Sequence, residues 1–306
     1  MGSGSWSDKD FVTYSCSLGR TVDSTTGSVI GTYSNQEIFR ATKLNKDLDP
    51  YKAVRECKDT IEHPNTVPVI LALDVTGSLG EVSVEIAKKL NTIVTKLYES
   101  ITDLEIMIMG IGDMAYDFSP LQVSQFESDI RIAEQLDKLY FEFGGGGNEY
   151  ESYSLAWYFA LNHTKIDAID KRGKKAIIIT MGDETLNPYI PKTGFHSSFE
   201  IAIGDKLQGD IDTKQLYRDA KDKFDIYHIH VDHTSKTHNS FDYCKDSFIE
   251  ILGEDHVYQS NLNSIASVII DIVTKASKNQ EETFVSTESY SSDPGLTKTE
   301  SGEIVW

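Results

Sequence analysis

The chain is predicted to be an α/β protein with a doubly wound, mostly parallel, Rossmann-like central sheet and helices on both faces. Three observations predict it. Short apolar runs (Val67 to Leu73, Leu104 to Ile111, Lys174 to Met181, Asp225 to Val231) read as strands buried on both sides. Segments of helical period separate them. Several runs break abruptly into Gly, Asp and hydroxyl residues, at the strand end where an open α/β sheet carries its ligand crevice.

The elements follow in order. Residues 1–35 are rich in Ser, Gly and Thr, with strand-like pieces at Phe11 to Tyr14 and Ser28 to Ile30. Residues 36–66 are polar and charged, broken by Pro50 and Pro64, and read as an irregular approach segment with one short helix. Strand Val67 to Leu73 precedes a helix over Glu81 to Ser100, whose Val84, Ala87, Leu90, Val94 and Leu97 share a face. After strand Leu104 to Ile111 come a strand around Leu121 to Phe126 and a helix to Leu139 with Ser128 as its N-cap. The glycine run Gly144 to Gly147 feeds a helix from about Glu149 to Asn162. Beyond strand Lys174 to Met181 lie helix Asp212 to Phe224, strand Asp225 to Val231, a helical stretch over 240–253, an edge strand at Val257-Tyr258 and a last helix from Leu262 to Lys278. Residues 279–306 hold six acidic residues and one lysine and read as a disordered or loosely docked tail. The expected organisation is therefore an extension (1–66), one domain (67–278) and an acidic tail (279–306).

The 306 residues include 29 Lys plus Arg against 48 Asp plus Glu, a net charge of −19. Such a chain repels phosphate backbones, so nucleic acid is excluded as the main ligand. No apolar run is long enough for a membrane span, and no signal peptide is visible at the N-terminus. Cys16, Cys57 and Cys244 are odd in number and lack metal spacing, which suits unpaired thiols in a cytoplasmic protein.

Three oxygen-rich loops stand out: Asp74-Val75-Thr76-Gly77-Ser78, Gly147-Asn148-Glu149-Tyr150-Glu151 and Thr180-Met181-Gly182-Asp183-Glu184. Carboxylates and hydroxyls of this kind suit a hard divalent cation. The spacing D-x-T-x-S at Asp74, Thr76 and Ser78, the glycine run leading to Asn148, and Asp183 after a strand resemble, in that order, the von Willebrand factor A (VWA) domain with its metal-ion-dependent adhesion site. The likeness covers roughly residues 67–278 and is nearest to bacterial or phage intracellular members. It implies that Asp74, Thr76, Ser78, Asn148 and Asp183 hold Mg²⁺, with Mn²⁺ or Ca²⁺ as substitutes. Asn148 departs from the family's Thr or Asp, but its amide oxygen can still ligate or bind a metal-bound water. Glu149, Tyr150, Glu151, Glu184 and Asp113 would form the rim.

Other constellations carry less. Asp74-Val75-Thr76 lacks the second Asp of a haloacid-dehalogenase phosphatase. His228 and His230 share a strand face but have no zinc spacing around them and read as core histidines. The aromatic run Tyr153 to Phe159 reads mainly as core.

The first functional expectation is a Mg²⁺-dependent protein-interaction module without catalysis of its own. A partner's Glu or Asp would complete the metal shell, and the resemblance suggests an AAA+ ATPase or a kinase as that partner. The second is a Mg²⁺-assisted phosphoryl hydrolase with Glu151 or Glu184 as base. The third is a structural or assembly component that uses the fold as a scaffold.

Overall fold

The computed structural model describes residues 4–76, 79–142, 149–232 and 238–289. It is a mixed α/β structure built on a six-stranded, mostly parallel sheet. The strands are β1 (Val67–Asp74), β2 (Leu104–Ile111), β3 (Leu121–Val123), β4 (Ala176–Gly182), β5 (Phe224–Val231) and β6 (Val257–Ser260). The main helices are α1 (Gly80–Tyr98), α2 (Arg131–Leu136), α3 (Ser154–His163), α4 (Thr213–Ala220), α5 (His238–Leu252) and α6 (Ile265–Ser289).

Strand order across the sheet is β6-β5-β4-β1-β2-β3. Only β3 runs antiparallel to its neighbour. The chain goes outward from β1 through β2 to β3, then returns to the other side of β1 as β4. The order thus reverses between β1 and β4, and in open α/β sheets such a switch point, at the carboxyl ends of the strands, is where ligands bind.

Burial on both faces explains the unbroken apolar runs. Along β1, Val69, Leu71 and Leu73 enter one core cluster and Ile70 and Ala72 the other. Residues of α1 (Ala87, Leu90, Val94) and α6 (Ile269, Ile272, Val273) fill the first cluster. Residues of α3 (Leu155, Phe159), α4 (Leu216, Ala220) and α5 (Phe248, Leu252) fill the second. Alternation of two inward directions along each strand produces this division.

Several expectations need correction. Phe11 to Tyr14 lies in a helix, Asp8–Ser17, not a strand. Ser7 caps it by accepting from the Asp10 amide, and Asp8 and Asp10 in the first turn favour the helix dipole. Phe11 joins the first core, and the Trp6 indole donates to Asn91 of α1 at 2.9 Å, so this segment packs against α1. The segment 36–66 contributes a short strand, Arg55–Cys57, paired with Thr164–Ile166. Ser128 is not the cap of α2: its hydroxyl donates to the Gly4 carbonyl, and the helix starts three residues later. The expected helix from Glu149 begins only at Ser154. Tyr150–Glu151 instead pairs in parallel with Thr185–Leu186. Helix α6 runs to Ser289, into the stretch read as tail, and residues 290–306 lie outside the described residues.

Candidate functional site

The carboxyl ends of β1 and β4 define the site. In the parallel register Leu73 faces Met181, which sets Asp74 opposite Gly182 and beside Asp183. Both aspartates are 1% exposed. Two acids thus lie buried side by side at the point where the strand order reverses. Burial first, and then the Asp183 charge, push the Asp74 carboxyl up to about 7. A like charge held close in a poorly solvated place has that effect.

Local hydrogen bonding orients Asp74. Its Oδ1 accepts from the Thr76 amide at 2.8 Å and the Thr76 hydroxyl at 2.6 Å. This closes the turn out of β1 and brings the first loop's hydroxyl against its carboxylate. Thr76 also bridges in parallel to Glu142, so the segment leading into the glycine run passes alongside this turn. The other oxygen, Oδ2, accepts from the Tyr153 hydroxyl at 2.9 Å. That hydroxyl in turn accepts from the Glu184 amide at 3.3 Å. One phenol therefore ties together the first and third loops. Burial, followed by the Asp74 and Asp183 charges, raises the Tyr153 hydroxyl well above its ordinary range, so it remains a donor.

Gly182 makes that contact possible. A Cβ there would stand 1.8 Å from the Tyr153 hydroxyl oxygen. Any side chain at 182 would expel the ring from its place between the loops.

Further acids gather at the same end. Glu151 is 7% exposed, and its Oε2 has no hydrogen-bond partner among the described residues. Desolvation, then the charges of Asp74, Asp117 and Asp113, hold its carboxyl well above the usual range. Asp113 accepts from the Ser152 hydroxyl and the Ala115 amide. Asp117 accepts from the Asp113 amide, and burial lifts it to about 6. Among the described residues no ion pair involves Asp74 or Glu151.

The expected ligand set is therefore placed in part. Asp74, Thr76 and Asp183 converge. Ser78, Asn148 and the glycine run lie outside the described residues. Of the rim, Glu151, Asp113 and Glu184 surround Asp74 and Tyr153, whereas Glu149 is exposed and Tyr150 turns to Tyr243 of α5. Sequence reading missed Tyr153, Gly182, Asp117 and Glu142. Tyr153 lies in an aromatic run that looks like core, and no spacing distinguishes it.

Among the described residues no group of three or more His, Cys, Asp or Glu side chains is disposed to hold a metal. The converging set contains two such carboxylates and a hydroxyl. His228 and His230 are buried on β5. His228 stacks on Phe248 at 3.4 Å between ring centres and hydrogen-bonds Thr180 through Nδ1. Burial holds its pKa well below the ordinary value, as expected of a neutral core imidazole. Burial, then the neighbouring Glu105, push the Cys57 thiol well above its usual range, which leaves it a poor nucleophile.

No protein-family model matches the chain, and no curated protein matches it. Several solved structures are similar in overall course. The pilus adhesin SpaC from Lactobacillus rhamnosus GG, in its open conformation, is 11% identical with a TM-score of 0.48; the match covers 77% of this chain and 33% of SpaC. The vWF domain of the type V pili tip protein Mfa5 from Porphyromonas gingivalis is 13% identical with a TM-score of 0.45, over 76% of this chain and 98% of that domain. A conserved hypothetical protein, BatB from Bacteroides thetaiotaomicron, is 14% identical with a TM-score of 0.38, over 69% and 99%. The chain thus spans about a third of SpaC. No described helix is long and apolar enough to cross a membrane.

Proposed function

We propose that this chain is a VWA-type protein-interaction module that uses a divalent cation, Mg²⁺ in the first instance, to capture a carboxylate from a partner protein. The observation that carries this reading is the pairing of Asp74 and Asp183, both buried, at adjacent strand ends where the order of a sheet covered by helices on both faces reverses. That sheet is read here as the doubly wound VWA arrangement.

The donor set fits such an ion. Two carboxylates and the Thr76 hydroxyl are hard oxygen donors, and two buried acids side by side are costly without a cation or a proton. Asp74, Thr76 and Asp183 would hold the ion, with Ser78 and Asn148 as further ligands. Bound there, it would supply an electrophilic centre with a position open to an incoming carboxylate. Tyr153 fixes the orientation of Asp74 through Oδ2 and keeps the third loop close to the first. The hydroxyl of Thr76 neutralises part of the Asp74 charge before any ligand arrives. The sequence resemblance makes an AAA+ ATPase or a kinase the first class of partner to try.

Calorimetric titration of Mg²⁺ or Mn²⁺ into the chelator-treated chain tests this reading. The chain should show one binding event that Asp183→Ala abolishes while leaving its circular dichroism unchanged. Equal metal binding by both chains would remove the proposal.

A further inference from the structure

Beside the acidic pocket lies a surface of a different character. Of the described large apolar side chains that remain exposed, Tyr51, Tyr116, Phe118, Phe195 and Ile201 come from three separate segments that meet here. Phe118 is 64% exposed, Ile201 70% and Phe195 78%. A groove of about 550 Å³ runs between Tyr51, Phe118 and Ile201. Isolated exposed apolar residues are ordinary, but a contiguous group of this size marks an interaction surface.

The surface is held in place rather than merely left uncovered. The Phe195 amide donates to the Ala115 carbonyl at 2.6 Å. A Cβ on Gly194 would come within 2.0 Å of the Met114 carbonyl oxygen, so glycine is what lets the two backbones approach this closely. His196 stacks on Phe118 with ring centres 3.9 Å apart. On the other side, the Phe118 amide donates to the Glu142 carboxylate. The Lys52 amide donates to the Ile203 carbonyl, joining the Tyr51 segment to the helix that carries Ile201. Preformed apolar anchoring sites of this kind lose little entropy when a partner binds.

Charge selects the occupant. The charged residues lining the groove are Asp49 and Glu200, both acidic. Phe118 directly follows Asp117, which belongs to the acidic cluster around Glu151. Lys52 stands over the Tyr51 ring at 5.0 Å, outside the lining. A second copy of the chain, itself of net charge −19, would meet this rim with like charge overall. A basic, apolar segment of another protein meets it with opposite charge.

We infer that the groove between Tyr51, Phe118 and Ile201 docks a peptide segment of a partner protein in which a large apolar side chain is flanked by Lys or Arg. The apolar side chain enters the groove, and the flanking cations face Asp49 and Glu200. The inference rests on the interaction-module reading only for the kind of ligand, a protein segment, and it does not depend on the metal.

A random peptide display library panned on the full chain in EDTA tests it. Enriched peptides should carry Leu, Ile, Met or Phe beside Lys or Arg. Their affinity, measured by fluorescence polarisation, should fall at least about tenfold for Ile201→Glu, which removes one apolar anchor. It should fall again for Glu200→Lys, which reverses a flanking charge, and stay unchanged for Asp183→Ala. Both groove substitutions are on the surface, so unchanged thermal melting shows that the fold survives. Peptides that bind equally well to Ile201→Glu, an acidic consensus, no enrichment, or a chain that dimerises through this face by light scattering would each overturn the inference. Loss of metal binding with peptide binding intact would sink the metal site alone.

Discussion

Tyr153 is the residue on which the candidate site turns. Its hydroxyl donates to Asp74 and accepts from Glu184, and its ring lies over Gly182. Tyr153→Phe should therefore leave a buried carboxylate oxygen without its donor, at a cost of about 1–3 kcal/mol in chemical denaturation. It should also weaken Mg²⁺ binding in calorimetry, because Asp74 loses its fixed orientation. An unaltered denaturation midpoint would show that the phenol bond contributes nothing. Gly182→Ala makes a harsher change in the same place. Overpacking against the ring should cost about 1–3 kcal/mol. The double change Gly182→Ala with Tyr153→Ala should recover part of that loss, since the ring is the obstacle; a strictly additive double mutant would contradict the clash. At this scale the sequence is informative about Asp74, Thr76 and Asp183, because their chemistry follows strand ends that periodicity reveals. It is silent about Tyr153, whose neighbours at helical spacing make it look like packing.

The elements that support these residues form one stack. Helix α5 places Phe248 face to face with His228 of β5, and the edges of both rings meet Tyr153. Phe248→Ala should open a cavity here at a cost of about 3–5 kcal/mol, read from urea unfolding. Because the same ring positions Tyr153, metal affinity should fall as well; a stability loss with unchanged affinity would uncouple the stack from the site. His228 adds a pH dependence. Its folded pKa is depressed by burial, so below about 6.5 the unfolded chain takes up a proton that the folded one excludes, and stability declines as pH falls. His228→Leu should flatten that decline between about pH 7 and 5 in thermal melts; an identical slope would assign the acid sensitivity elsewhere. Strands were the most legible elements, since burial on both faces leaves an unbroken apolar run. Helix ends were less so. The segment around Glu149 looks like the start of a helix locally, yet pairing with Thr185–Leu186 holds Tyr150–Glu151 extended. The Phe11 segment carries strand-like residues, but the Ser7 cap and packing on α1 make it helical.

Across the whole molecule, one end of the sheet gathers acid and the adjacent flank gathers exposed aromatics. The −19 net charge keeps such a molecule apart from its own copies and makes a cationic or metal-bridged partner the natural complement. The mixed α/β class and the mostly parallel sheet could be read from strand–helix alternation alone. The groove could not, because Tyr51, Phe118 and Ile201 come together only when three distant segments pack. The measurement that bears most directly on the central claim is anomalous scattering from crystals of the chain grown with Mn²⁺. One peak should appear between Asp74 and Asp183, with oxygen ligands at about 2.0–2.2 Å as for a Mg²⁺-like ion. Crystals that take up Mn²⁺ only at surface carboxylates, leaving those two aspartates hydrogen-bonded to each other through a proton, would contradict it.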